Sequence, residues 1–162
     1  MAELNSNVKK LERDWRTMIL ISHDFFHRWR QVIEEKYGPE ESMNLANRFW
    51  ELVGEGTADS YLNRGKDTND LEQIVEAFVK ASLVMGESAR MAKDGDDVLL
   101  IHDACPWVDS FINSGAPGQC TAGCDTWFKT AINKISGDYS VITECYIPAG
   151  GKTCTRRFIR NK

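Results

Sequence analysis

Five cysteines, all at or beyond Cys105, are the side chains of this 162-residue chain best suited to chemistry. Cys120 and Cys124 form a C-x3-C pair, which a helix would stack on successive turns of one face. Cys105 follows His102-Asp103-Ala104, just after the apolar run Val98-Leu99-Leu100-Ile101 that reads as a strand covered on both faces. Cys145 and Cys154 flank Pro148-Ala149-Gly150-Gly151, and a four-residue loop there sets them opposite each other on a hairpin with Ile147 across from Lys152. One bulge would undo that register. Thiolates are soft ligands, so Cys105, Cys120, Cys124 and Cys154, with His102 nearby, could close a tetrahedral site for zinc or iron. The spacing matches no common zinc finger, and the plainer reading is that buried free cysteines fill a core as small hydrophobes.

His102 and Cys105 place an imidazole and a thiol at the end of a strand, where open sheets often put their sites. Cys105 is then a thiolate activated by His102, or a ligand; the alternative is a satisfied core histidine beside an inert thiol. Glu144 lies on an alternating segment, Tyr139 to Ile147, where an outward carboxylate is the default and an inward one would be a proton carrier. Arg156 and Arg157 point to opposite faces of the following strand, so one of them can reach a pocket and hold an anion. His23 and His27 have chelating i,i+4 spacing but lack the Glu of H-E-x-x-H, and a solvated helix edge is the expectation for both.

The elements that must position these groups are α+β. Val8, Leu11, Trp15, Met18, Phe25, Trp29 and Val32 recur at spacings of three and four, widened on one side by Ile19, Phe26 and Ile33, which predicts a long amphipathic helix ending at Tyr37-Gly38. Pro39 opens a second helix with Glu40 and Glu41 in its first turn, burying Ala46, Phe49, Trp50, Val53 and Tyr61, with a close backbone approach or kink at Gly54-Glu55-Gly56 and an end near Gly65. A third starts after Asn69 or Asp70 and runs through Leu71, Ile74, Phe78, Ala81, Met85, Ala89 and Ala92 to Asp94-Gly95-Asp96-Asp97. A Cys-bearing helix over about Gln119–Ile135 turns Cys120, Cys124, Phe128, Ala131 and Ile135 inward, and a hairpin closes the chain. The expected architecture is one domain, 1–162, in which a helical half (1–95) packs on a small, mainly antiparallel sheet within a Cys-rich α/β half (96–162).

Composition narrows the partners. A net charge of −4 gives no global attraction to nucleic acid or to anionic membranes, although Arg156, Arg157, Arg160 and Lys162 make the terminus locally basic. Charged residues interrupt the first thirty positions where a signal peptide would be apolar, and no window is long and apolar enough to span a bilayer. An odd number of cysteines fits reduced thiols better than a secreted disulfide framework. A soluble, cytoplasmic protein with a small-molecule partner is the expectation.

Taken in order, Tyr37-Gly38-Pro39-Glu40-Glu41, Asp70-Leu71, Cys105-Pro106, Cys120 with Cys124, and Gly150-Gly151-Lys152-Thr153-Cys154-Thr155-Arg156-Arg157-Phe158 give the chain a pattern that resembles the L-2-amino-thiazoline-4-carboxylic acid hydrolase family, small bacterial proteins with a helical front half and cysteine motifs behind. The rear half is also similar to small-molecule-binding domains of the 4-vinyl reductase type, a likeness that implies a metal or ligand held by the cysteines. The first resemblance implies a C–N hydrolase acting at the amidine carbon of a cyclic 2-amino-thiazoline acid and giving an N-carbamoyl amino thiol acid. In that reading a thiolate-held metal would supply hydroxide, His102 or Glu144 would shuttle the proton, and Arg156 or Arg157 would hold the carboxylate. The rival reading is a non-catalytic, sensor-type module in which the cysteine cluster holds a metal or small ligand and the aromatic helices pass its occupancy to a partner.

Overall fold

The computed structural model describes residues 2–162. The first two helices meet at Gly38-Pro39. Gly38 takes φ 89°, open to glycine without strain, and Pro39 starts the next helix at a position that needs no N–H. The elements are α1 (Ala2–Tyr37), α2 (Pro39–Leu62), α3 (Leu71–Val84), β1 (Ser88–Asp94), β2 (Asp97–Ala104), α4 (Pro106–Asn113), α5 (Pro117–Ile135), β3 (Tyr139–Cys145), a 3-10 turn over Ile147–Ala149, and β4 (Cys154–Arg160). The expected α+β class holds, with every strand pairing antiparallel in the order β1-β2-β4-β3. Among the described residues no helix is long and apolar enough to cross a membrane.

One face of the sheet is the floor of the core. Alternation puts Val98, Leu100 and His102 of β2, Cys154, Arg156 and Phe158 of β4, and Tyr139 and Val141 of β3 on that face, and all of them are buried. α3 packs against β1 and β2, α5 against β3, and α2 lies along α5. The rings of Phe78, Phe128 and Phe158 meet where these layers join, with centroids 5.5–6.2 Å apart.

Three expectations need correction. The third helix does not run to Ala92. It ends in a Schellman cap, where Gly86 N–H donates to the Leu83 carbonyl and Glu87 N–H to that of Ser82, with Gly86 at φ 78°. Residues 88–94 are then strand β1, because Asp94-Gly95-Asp96-Asp97 is a two-residue hairpin turn on Gly95 at φ 63° and lends 88–94 the neighbouring strand as partner. The spacing of Met85, Ala89 and Ala92 imitates a helix across this boundary. Helix α4 was not expected and is a second correction, since its eight residues after Cys105 are too few to show a helical period.

The third correction concerns which side of α1 is buried. The core takes Ile19, His23, Phe26 and Arg30, while Val8, Leu11, Trp15, Met18, Phe25, Trp29 and Val32 are exposed, and so is Phe49 on α2. His23 is therefore no solvated edge. Its ring stacks on Trp107 with centroids 3.7 Å apart, and neither ring nitrogen has a hydrogen-bond partner. Burial first, and the neighbouring His27 second, push its pKa down from 6.5 to about 4, against a smaller opposing pull from Glu87.

The close approach anticipated at Gly54 is real. A Cβ there would stand 2.7 Å from the Trp127 carbonyl oxygen and 2.8 Å from Thr130 Cβ, so α2 and α5 touch through bare backbone. Reciprocally, Gly123 of α5 leaves the space that the Trp50 indole of α2 fills. Two tests follow from this packing. Gly54→Ala should lower unfolding free energy by about 1–3 kcal/mol in urea titrations, whereas Gly56→Ala, with nothing within 4 Å of its Cβ, should raise it by about 0.5–1 kcal/mol. For His23, the unfolded chain binds a proton between pH 6.5 and about 4 that the folded state refuses, so stability is full above that window and falls as pH drops through it. The loss should approach about 3 kcal/mol and shrink in His23→Leu.

Candidate functional site

The Schellman cap that ends α3 does more than stop a helix. By turning the chain at Gly86 it brings Glu87 back beside Ser82, and both side chains reach the His102 ring from the floor strand β2. Glu87 Oε2 lies 2.8 Å and Ser82 Oγ 2.9 Å from His102 Nε2. On the far side of the ring, Arg156 Nη1 stands 3.3 Å from Nδ1. A guanidinium has no acceptor and keeps its proton, so it can only donate, and Nδ1 must be the accepting nitrogen. The ring proton is thereby assigned to Nε2, pointing at Glu87. Glu87, His102 and Arg156 form one continuous chain, all of it buried, with Arg156 only 1% exposed.

This chain opens into a tight cavity lined by its three members together with Cys105, Cys120, Cys124, Cys154, Thr121 and Tyr146. The four cysteines expected to converge do share it, delivered by three elements, α4, α5 and β4. Cys154 sits on β4 opposite His102 and accepts from Ile147 N–H at 3.3 Å. Cys105 caps α4, and Cys120 and Cys124 stack on α5. The volume is ≈ 10 Å³, room for about one water. Glu87, Cys120 and Cys124 are also a wall of a second cavity of ≈ 70 Å³, lined by Trp50, Trp107, Phe111 and Trp127. A chamber built on the Glu87–His102–Arg156 chain and an aromatic chamber thus share a wall.

The electrostatics follow from burial. Desolvation pushes the Cys105 thiol far up, helped by Glu87, while the Trp107 and Val108 N–H groups at the start of α4 pull weakly the other way. Cys120 is likewise raised by burial and by its thiol neighbours. Cys124 is raised to about 11 by burial, with the Arg156 charge partly offsetting it. These thiols are protonated at neutral pH. Arg156 lies over the face of Phe128, 4.8 Å from the ring centroid, and its Nε is buried with no acceptor. Asp125, which contributes attraction to Arg156, accepts hydrogen bonds from Thr143 and Tyr146, each at 2.7 Å.

Other sequence candidates fall elsewhere. Arg157 and Glu144 lie on the opposite face of the sheet, paired with each other at 2.5 Å, and Arg157 also bridges Asp94 and Asp97. Strand alternation requires this once Arg156 faces inward. Cys145 pairs with Thr155, not with Cys154, because an irregularity between Thr143 and Cys145 and the 3-10 turn shift the hairpin register. The expected zinc or iron site fares poorly on donor chemistry. Among the described residues no three His, Cys, Asp or Glu side chains group as metal ligands, and Arg156 already supplies the cavity's cation.

Glu87, Ser82 and Asp125 were missed by the sequence reading. The signal for the first two was Gly86, a C′ glycine that a strict helix stop rule would have honoured.

Comparison with known proteins places this geometry. A family model described as L-2-amino-thiazoline-4-carboxylic acid hydrolase matches residues 18–158. No curated protein matches the chain. Among solved structures, the phenol-responsive sensory domain of the transcription activator PoxR with phenol is similar at TM-score 0.59 and 11% identity, over 85% of this chain and 74% of that one. A trafficking protein particle complex subunit 3 from Naegleria fowleri, covalently bound to palmitic acid, is similar at TM-score 0.59 and 10% identity, over 91% of this chain and 97% of that one. At such identities these two likenesses are of fold.

Burial of these four thiols, full or partial, carries a direct prediction. In the native protein at neutral pH, Cys105, Cys120, Cys124 and Cys154 should react with iodoacetamide at least about tenfold more slowly than in urea, as mass spectrometry of labelled peptides would record. Fast native labelling of Cys105 or Cys124 would mean an open or thiolate-bearing site.

Proposed function

The chain belongs to the L-2-amino-thiazoline-4-carboxylic acid hydrolase family, and on that premise we propose that it hydrolyses a small cyclic amidine bearing a carboxylate, of the 2-amino-thiazoline-4-carboxylate kind, in the chamber of Glu87, His102 and Arg156. The observation that carries this reading is Arg156, which lines the cavity and whose Nε is a buried charged donor with no acceptor of its own. A substrate carboxylate satisfies it and pairs with the charge.

Binding there has a chemical consequence. Once the carboxylate engages Arg156, the long 3.3 Å contact to His102 Nδ1 is released, and that nitrogen becomes a free base. Glu87, on Nε2, holds the ring in place and stabilises the positive charge when Nδ1 takes a proton, the role an orienting carboxylate plays behind a catalytic histidine. Water, deprotonated by Nδ1, adds to the amidine carbon to give a tetrahedral adduct. Breaking the C–S bond then yields the N-carbamoyl amino thiol acid, whereas breaking the ring C–N bond would yield the S-carbamoyl isomer. A thiolate, with a conjugate acid near pKa 8.5, leaves more readily than an amine anion, so the N-carbamoyl product implies C–S cleavage in place of the C–N cleavage first expected. The proton on Nδ1 passes to the departing sulfur. Because the chamber is small, side chains of its wall must move apart to admit substrate.

A second reading rests on the aromatic chamber: Trp50, Trp107, Phe111 and Trp127 suit an apolar ring, and the fold is shared with a phenol-responsive sensory domain. Here the protein binds a small aromatic ligand without turnover.

The deciding experiment incubates purified protein with L-2-amino-thiazoline-4-carboxylate and follows thiol release and product mass. Turnover is expected, with Glu87→Gln and Arg156→Lys each lowering kcat/KM by about 10²-fold or more while circular dichroism stays native, and Arg157→Lys leaving the rate unchanged. Turnover that survives Glu87→Gln would sink the mechanism. Absence of turnover together with saturable quenching of tryptophan fluorescence by phenol would favour the binding module.

A further inference from the structure

α1 has a second apolar face that its own core does not use. Val8, Leu11, Trp15, Met18, Phe25, Trp29 and Val32 are all exposed, Leu11 and Phe25 to 69% each. Their order is stricter than helical amphipathicity requires. Val8, Trp15, Ser22 and Trp29 recur every seven residues, and so do Leu11, Met18, Phe25 and Val32. A sustained seven-residue repeat is the seam of a coiled coil, since on an isolated straight helix it would drift around the surface. From Val8 to Val32 the seam runs about 36 Å, well beyond the scattered apolar residues normal on a monomer.

We propose that this seam is occupied by α1 of a second copy of the chain, packed antiparallel about a two-fold axis at the level of Leu20. The register is self-complementary, as a two-fold interface must be. Val8 of one copy meets Val32 of the other, Leu11 meets Trp29, Trp15 meets Phe25, and Met18 meets the small Ser22. At the flanking positions Asp14 falls opposite Arg28 twice by symmetry, and Ile21 meets its own mate across the axis. Within one chain Asp14 and Arg28 have only exposed partners on their own helix, Arg13 and Asp24. A parallel pairing would set Asp14 and Arg28 against Ile19 and Ile33, side chains this protein turns toward its own core, and would stack Trp15 on Trp15.

The placement of α1 favours the same orientation. Residues 6–18 are exposed one after another, with Trp15 Nε1 donating to the Val84 carbonyl at 3.0 Å, and core packing begins at Ile19. The antiparallel register lays this projecting half over the core-anchored half of the other copy. A parallel one would pair the two projecting halves only with each other, away from both cores.

Sedimentation velocity of the full chain tests this. The wild type should be a dimer at micromolar concentration, and Met18→Glu combined with Phe25→Glu, both at exposed sites, should sediment as a monomer with unchanged far-UV circular dichroism. Asp14→Arg should weaken the dimer several-fold, and adding Arg28→Asp should restore it. A monomeric wild type, a dimer that survives the double glutamate variant, or a charge-swapped pair as weak as Asp14→Arg alone would overturn the proposal. So would a monomer whose stripe instead carries it onto phosphatidylcholine vesicles in flotation.

Discussion

Arg156 is the residue around which the rest of the interior is arranged. It sits on the inward face of β4 with almost no exposure, and it cannot shed its proton to escape the cost of burial. An unpaired charge in such a place costs several kcal/mol, and removing one partner of a buried pair typically costs about 3–5 kcal/mol. The surroundings answer this with the Phe128 ring face, with Asp125, and with Glu87 acting through His102. Each answer depends on an element ending or turning at the right residue. Glu87 is there because Gly86 ends α3 in a left-handed cap, and His102 because β2 is central and pairs with β4. The cavity thiols fit the same logic: burial holds Cys105, Cys120 and Cys124 protonated, so they pack around the charge without adding another.

Much of this scaffold was legible from side-chain period alone. Period two marked the β3–β4 hairpin and separated Arg156 from Arg157, and period 3.6 marked α5 and stacked Cys120 on Cys124. The convergence of Cys105, Cys120, Cys124 and Cys154 was readable because Cys105 follows the strand run ending β2, Cys120 and Cys124 share one face of α5, and Cys154 opens β4. What escaped has physical causes. Ser88-Ala89-Arg90-Met91-Ala92-Lys93-Asp94 contains no β-branched residue, and its strand character comes from pairing with β2, which no local propensity reports. Reading the helix across Gly86 hid Glu87 as a partner for His102. The bulge beyond Thr143 is a defect of ladder registry that period two cannot foresee, and it parted Cys145 from Cys154.

α1 shows a different limit of such reading. Its strongest apolar stripe was expected to face the core, whereas the core takes the weaker flank of Ile19, His23, Phe26 and Arg30. Periodicity locates an apolar face without saying what covers it. Here the seven-residue repeat and the buried flank describe two contact surfaces on one helix, of which the single chain satisfies one.

The functional account stands on the linkage between Arg156 and His102. It holds that His102 carries its proton on Nε2, toward Glu87, and that a substrate carboxylate releases Nδ1 from Arg156. Long-range ¹H–¹⁵N correlation spectra of the imidazole report both. The account predicts an Nε2–H tautomer in the free protein and a change at the unprotonated Nδ1 when 2-amino-thiazoline-4-carboxylate is added. An Nδ1–H tautomer, or an imidazole spectrum that ignores saturating ligand, would contradict it.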